Sequence, residues 1–352
     1  MNITIDNIKI ALEKVVEPDL KKDIISLGLV SKIEFDQNKI SFTVQISNPA
    51  MHSKKRMQEA CEFAIERAFG KVIKTQISIE ALPKDRDPSI RKVLPNIKHI
   101  IAIASGKGGV GKSTITANLA AGLAKQGYRV GLVDADIYGP SMPTMFDLVG
   151  QRPGGVDRDG KKLIEPLESY GVKILSIGFF SDPDQAVVWR GPMATKALNQ
   201  LFKDAAWDEL DYLLIDLPPG TGDIHLTLVQ NIPLSGVLIV STPQEVALAD
   251  ARKGINMFKM DSLKVPVIGL VENMAWFTPA ELPDNKYYIF GKDGAKNLAE
   301  TMNVPLLAQI PLIQSVRESG DVGRPAVLQE NTLSSKIFDE FVHTFVQAVN
   351  NK

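Results

Sequence analysis

Among 352 residues there is a single cysteine, Cys61. That scarcity excludes an intrachain disulfide framework and fits a reducing compartment. There is no excess of either charge: 40 basic against 41 acidic residues leave a formal net charge of -1. No global basic field exists to concentrate the chain on phosphate backbones or anionic lipid, which disfavours nucleic acid as a partner. The opening residues Met1-Asn2-Ile3-Thr4-Ile5-Asp6 lack a basic stretch followed by an apolar core, and no window approaches the ~18 apolar residues of a membrane span. The expected location is the cytoplasm, with no membrane partner. Repeats and low-complexity tracts are also missing. What is present is ordinary for a soluble globular chain: 44% apolar and 23% charged residues, and a length for which two domains are the natural expectation.

Residues 1–82 read as a small α+β domain. A helix is expected over Ile8–Val16, strands over Leu29–Phe35 and Ile40–Ser47, a second helix from about Ser53, and a last strand over Thr75–Ala81. In the second helix Met57, Cys61, Ala64, Ile65 and Ala68 recur at helical spacing and form one buried stripe. Residues 83–97 read as a linker, because three prolines and six charges between Leu82 and Pro95 interrupt all periodicity. From residue 98 to 352, seven apolar runs of strand length recur: Ile100–Ala104, Val130–Val133, Val172–Ile177, Tyr212–Ile215, Val237–Val240, Val267–Val271 and Leu306–Ile310. Continuous apolar strands separated by helix-length segments indicate an α/β fold, a doubly wound and mainly parallel sheet covered on both faces. Ile337, Phe338, Phe341, Val342, Phe345 and Val349 share one face of a terminal amphipathic helix, expected to pack on the sheet.

The first of those strands runs into Gly106-Lys107-Gly108-Gly109-Val110-Gly111-Lys112-Ser113-Thr114, and a helical pattern follows at once. This is the strand, loop and helix context of a phosphate-binding loop. Glycines let backbone N–H groups turn inward around an anion, and the helix N-terminus adds its dipole. Lys112 is placed to reach the β and γ phosphates of ATP, and the Ser113 hydroxyl to ligate Mg2+. A bare glycine-rich turn would explain the glycines but neither lysine nor the Ser-Thr pair. Lys107, early in the loop, can point away from its own phosphates, and a neighbouring subunit's site is one use for it.

Two further strands end in carboxylates. Leu132-Val133-Asp134-Ala135-Asp136 places two at i and i+2 on the ligand-binding edge of the sheet. One suits the magnesium shell and the other the attacking water. Tyr212-Leu213-Leu214-Ile215-Asp216 ends in a second carboxylate for the magnesium shell, and Gly220 is positioned to sense the γ phosphate through its N–H. Asp134 and Asp216 also fit a plainer role as strand-end caps.

The loop with two lysines, the Asp134-Ala-Asp-Ile-Tyr-Gly-Pro-Ser141 run and Asp216-Leu-Pro-Pro-Gly-Thr-Gly-Asp223 resemble the deviant Walker A ATPases of the Mrp/ApbC branch. Val188-Trp189-Arg190-Gly191-Pro192-Met193, Thr242-Pro243-Gln244 and Val271-Glu272-Asn273-Met274 also match that branch, so the resemblance spans essentially the whole chain. Residues 1–82, with Glu17-Pro18-Asp19 and Asp23-Ile24-Ile25-Ser26-Leu27-Gly28-Leu29-Val30, resemble the MIP18-type domain often fused before such ATPases. The resemblance implies an ATP-binding homodimer that carries iron-sulfur clusters, including [4Fe-4S], and hands them to apoproteins alongside assembly factors. It implies that Lys107 reaches the partner's nucleotide, that Asp136 aligns the hydrolytic water, and that Asn273 reads adenine.

The chain departs from the family pattern where a cluster would be held. Such ATPases usually carry Cys-x-x-Cys soon after Glu-Asn-Met, whereas residues 275–291 here contain no cysteine, and Asn48-Pro49-Ala50-Met51-His52 stands where the small domain usually has one. A homodimer offers two thiols, one Cys61 from each chain, against the four that clusters typically use. His52 is the nearest other candidate ligand by position. Trp276, Phe277, Tyr287, Tyr288 and Phe290 in the altered segment fit either a contact surface or buried packing, as do Trp189 and Arg190. The expected function is an ATP-hydrolysing iron-sulfur cluster carrier. The alternatives are a nucleotide-gated assembly scaffold that ligates no cluster, and a positioning switch of the septum or plasmid type.

Overall fold

The structure is a computed structural model describing residues 4–18, 22–36, 39–46, 51–70, 72–81, 94–158, 160–180, 191–261, 263–279 and 281–351. The chain divides into two units, Met1–Lys92 and Val93–Lys352.

The smaller unit opens with α1 (Ile5–Leu12), followed by the two-residue strands β1 (Val16–Glu17) and β2 (Lys22–Asp23), then β3 (Val30–Asp36), β4 (Lys39–Ile46), α2 (Met51–Phe69) and β5 (Lys74–Ala81). Helix α1 starts and stops earlier than its expected span of Ile8–Val16. The Thr4 hydroxyl accepts from Asn7 N–H and fixes the start. Val16 is drawn instead into an antiparallel pair with Asp23. Strand β4 pairs antiparallel with β3 and parallel with β5, so α2 is the crossover between β4 and β5. Its apolar stripe, Met57, Cys61 and Ile65, closes a core with Ile8, Leu12, Ile40 and Phe42.

In the larger unit the elements run β6 (Ile97–Ala104), α3 (Lys112–Lys125), β7 (Val130–Asp134), α4 (Met142–Met145), β8 (Gly155–Arg158), β9 (Lys161–Ile164), β10 (Leu167–Ser169), β11 (Val172–Ser176), α5 (Gly191–Lys203), β12 (Leu210–Asp216), α6 (Asp223–Asn231), β13 (Gly236–Ser241), α7 (Glu245–Lys259), β14 (Val267–Phe277), α8 (Gly294–Met302), β15 (Leu306–Leu312), α9 (Gln314–Asp321) and α10 (Leu333–Asn350). The eight-stranded sheet has the order β10-β11-β7-β12-β6-β13-β14-β15. Only the edge pair β10/β11 is antiparallel. Strand β6 shows why the sheet is covered twice: Ile100, Ala102 and Ala104 enter one core, Ile101 and Ile103 the other. Helices α5, α6, α7 and α8 pack on the first face; α3 and α10 pack on the second. The aromatic stripe of α10, Phe338, Phe341 and Phe345, is fully enclosed there. The short hairpin β8/β9 carries no long apolar run and is an addition to the expected strands. Leu94 is already buried and Ile97 already in β6, so the last residues of the 83–97 segment belong to the larger unit.

Strand β6 lies between β12 and β13, with β7 beyond β12. The chain therefore reverses its direction of winding at β6. A crevice opens outside the carboxyl ends of the strands at such a point, where ligands of doubly wound sheets bind.

Candidate nucleotide site

Glycine is required in the loop after β6 for two different reasons. Gly109 and Gly111 both have φ of +82°, a left-handed conformation strained for other residues. At Gly106 a Cβ would overlap the Asp250 backbone of α7, and at Gly111 it would overlap the Asn273 side-chain amide. Helix α3 starts at Lys112 with no side-chain cap at Gly111, so its first N–H groups remain available to an anion. Val110 is buried beneath the loop, while Lys107, Gly108 and Gly109 are exposed and Ser113 and Thr114 half-buried.

Lys112, only 5% exposed, donates from Nζ to Asp216 Oδ2 at 2.7 Å and lies 3.7 Å from Asp136 Oδ2. The Ser113 hydroxyl donates to the same Asp216 oxygen at 2.6 Å. Thr116, one turn further, stands 2.7 Å from Asp216 Oδ1 and 2.9 Å from the Lys112 carbonyl. Thr116 was not foreseen; its signal is the i+4 spacing from Lys112, which places it on the same helix face. Asp216 thus ties the first turn of α3 to the end of β12.

The strand register sets Asp216 directly beside Asp134. Burial, and then the neighbouring Asp216 carboxylate, push the Asp134 carboxyl above its ordinary range. Asp134 meets four donors: the N–H groups of Asp136, Ser141 and Met142 at 3.0–3.2 Å and the Ser176 hydroxyl at 2.9 Å. It therefore shapes the loop that carries Asp136 and leads into α4. Asp136, 8% exposed, is also raised by burial, with Lys112 acting in opposition. Gly220, at φ +94°, donates its N–H to the Ser105 carbonyl at 2.9 Å, at the base of the phosphate loop.

Asn273 and Glu272 separate in role although adjacent. The Asn273 amide donates to Val110 O at 2.9 Å and so braces the phosphate loop. Fully buried Glu272 accepts from Ala295 N–H at 2.5 Å and Gln309 Nε2 at 2.7 Å, holding the start of α8. His225 in α6 is a second residue that sequence reasoning missed. It is 2% exposed, and burial, followed by the charge of Lys112, lowers its imidazole to about 4. Its Nε2 has no hydrogen-bond partner among the described residues.

Beyond Asn273 the altered segment is closed on itself. Phe277 and Tyr287 exchange N–H···O bonds of 2.8 Å in both directions, and Lys286 Nζ sits 4.1 Å from the Trp276 ring centroid. Trp276 and Phe277 are half-buried; Tyr287, Tyr288 and Ile289 are exposed. Cys61 is far from exposure, at 0% in the small core, and burial pushes its thiol up to about 12. Asp19, Asn48-Pro49-Ala50, Trp189 and Arg190 lie outside the described residues, as does the side chain of His52. No grouping of three or more His, Cys, Asp or Glu side chains suited to a metal ion occurs among the described residues.

Residues 96–346 match the family model described as NUBPL iron-transfer P-loop NTPase, and residues 5–79 match that of an iron-sulfur cluster assembly protein. An iron-sulfur cluster carrier protein of Synechocystis is 42% identical over 93% of this chain and 92% of its own length. One of Haemophilus influenzae is 42% identical over 95% of this chain and 90% of its own. Among solved structures, a nucleotide-binding protein of Archaeoglobus fulgidus in complex with ADP superposes with a TM-score of 0.59 at 38% identity, covering 69% of this chain and 92% of that one. The cell division ATPase MinD of Pyrococcus furiosus, at 24% identity and a TM-score of 0.50, covers 71% of this chain and 98% of its own and shows the shared fold alone.

Proposed function

This chain belongs to the family of NUBPL iron-transfer P-loop NTPases, and we propose on that premise that it is a magnesium-dependent ATPase that delivers iron-sulfur clusters to apoproteins or helps to assemble them there. The observation that carries the ATPase half is the triangle of Lys112, Ser113 and Asp216. Its ammonium, hydroxyl and carboxylate stand within 3.3 Å of one another at an uncapped helix start. Phosphate oxygens replace Asp216 as the partner of Lys112 when ATP enters, an exchange of one charge-assisted hydrogen bond for another.

The hard oxygen donors Ser113 and Asp216 fit magnesium, which needs few protein ligands because phosphates and waters complete its octahedron. When bound, magnesium would neutralise charge developing on the β and γ phosphates. Asp136, beside Lys112 and held by the Asp134-centred loop, orients the attacking water. Gly220 exchanges its bond to Ser105 for the γ phosphate, so that its loop responds to ATP and to its loss. The remaining acceptor of Asn273 meets the adenine amino group, and exposed Lys107 extends to the nucleotide of a second copy in a homodimer. The setting is cytoplasmic, and the partners are apoprotein clients and assembly factors.

The test is activation of an apo iron-sulfur enzyme by a preformed cluster donor, with this chain and ATP. Wild type should accelerate activation only with hydrolysable ATP, and Asp136→Ala should not. Equal acceleration without nucleotide, or none at all, would sink the proposal.

A further inference from the structure

We propose that a cluster handled by this chain remains coordinated throughout by thiolates of the proteins that give and receive it, and that the described residues of this chain supply no iron ligand. This rests on the function proposed above, but it concerns only who holds the cargo.

Clusters are held mainly by four cysteine thiolates, with histidine replacing two of them in some centres. The chain has one cysteine and four histidines. Cys61, at 0% exposure, is buried in one core with Ile8, Leu12, Ile40, Phe42 and Ile65. With its thiol raised to about 12, it is protonated at neutral pH, which is the wrong form for a ligand. A sulfur enclosed by its own core cannot share an iron with its counterpart in a second copy. Exposing it would require α2 to leave the sheet of the small unit.

The three histidines whose side chains are described do not compensate. His99 stacks on Tyr212 with ring centroids 5.3 Å apart, His225 is buried in α6, and His343 on α10 bonds Gln347 at 2.8 Å. They occupy three different elements, and no grouping of potential ligands forms among the described residues. The segment after Asn273 is shut by the Phe277–Tyr287 pair and clasped by Lys286 on Trp276. Its exposed carboxylates, Glu281 and Asp284, are not thiolates.

Transfer is then a direct ligand exchange. Each Fe–S bond to a donor cysteine breaks as one to a recipient cysteine forms, the entering recipient thiol gives up the proton that the displaced donor thiolate takes up, and the iron keeps its oxidation state. The chain contributes its nucleotide site and no iron ligand. Its partner class is a protein presenting free cysteine thiolates.

Anaerobic incubation of the full chain with ferrous salt, sulfide and reductant, followed by desalting, tests this on protein shown to bind ATP. Retained iron should stay at least tenfold below the ~4 per cluster of a [4Fe-4S] centre, with no visible charge-transfer band, for wild type and Cys61→Ser alike. Stoichiometric iron and sulfide on wild type would overturn the proposal. Because Cys61→Ser disturbs a core position, alkylation of the wild-type thiol is the second reading: it should be blocked in the folded chain and rapid in denaturant. Rapid labelling of folded protein would overturn the enclosure argument. Failure of apo-enzyme activation would instead strike the proposed function and leave the iron count untouched.

Discussion

The loop after β6 and the segment after Asn273 both leave carboxyl-side ends of strands in one sheet, yet they are opposites in chemistry. Residues 106–114 carry two lysines, a Ser-Thr pair and glycines whose replacement would collide with α7 or Asn273. Residues 275–291 carry aromatic rings and no thiol, and close by a backbone pair and a cation–π contact. Nucleotide chemistry needs its groups at fixed places in this chain, because a phosphate cannot bring its own lysine. Cluster ligands can be brought by a partner. The contrast therefore separates an engine built into this chain from a grip supplied by others.

The largest effect that would break this contrast concerns turnover. Asp136→Asn should slow ATP hydrolysis by about 10²–10⁴-fold, the usual contribution of a residue that positions or activates the attacking water, while ATP still binds. Phosphate release at saturating ATP measures it; unchanged turnover would remove Asp136 from the engine.

The next effect is on stability. The side chains of Lys112 and Asp216 are 6% and 0% exposed, so Lys112→Ala leaves a buried carboxylate without its cation and should cost roughly 3–5 kcal/mol in nucleotide-free protein. Adding Asp216→Asn should restore most of it. All three tryptophans, Trp189, Trp207 and Trp276, belong to the larger unit, so tryptophan fluorescence in denaturant reads this unit alone. Equal loss in single and double variants would contradict the coupling.

His225 sharpens the comparison through pH. Its imidazole is lowered to about 4 in the folded chain against an ordinary 6.5. Between those values the unfolded chain binds the proton and the folded chain does not, so stability rises with pH there and is lost as pH falls from 6.5 to 4. The contribution is at most about 3 kcal/mol. His225→Gln should flatten that slope; Asp134 titrates in the opposite sense in the same window, so the difference from wild type is the quantity to compare. Identical slopes would show that His225 is not held neutral.

The smallest effect lies in the altered segment. Lys286→Ala removes a half-exposed cation–π contact worth about 0.5–1 kcal/mol, and should leave ATP hydrolysis unchanged. A turnover defect in Lys286→Ala would mean that the two loops are not separable.

Much of this was legible in sequence, and the reason differs by feature. The seven strands of the larger unit are continuous apolar runs, which few other structures accommodate, so each expected run lies within an observed strand or overlaps its end. Lys112, Ser113, Asp136 and Asp216 converge because each sits at a fixed offset from a strand end. The start of α1 was misread because Thr4, a capping residue outside the apolar pattern, decides it. The bond of Asn273 to Val110, the bond of the Ser176 hydroxyl to Asp134 and the burial of His225 depend on contacts between segments tens to hundreds of residues apart. No local pattern encodes those. The hairpin β8/β9 was missed because exposed two-stranded ribbons carry little apolar signal.

Equilibrium titration of ATP with magnesium into wild type and Lys112→Ala tests the engine most directly. Wild type should bind saturably, and the variant on the order of a hundredfold more weakly, as expected for losing a charge-assisted hydrogen bond to phosphate. Undiminished ATP affinity in Lys112→Ala, with the larger unit folded, would contradict the account.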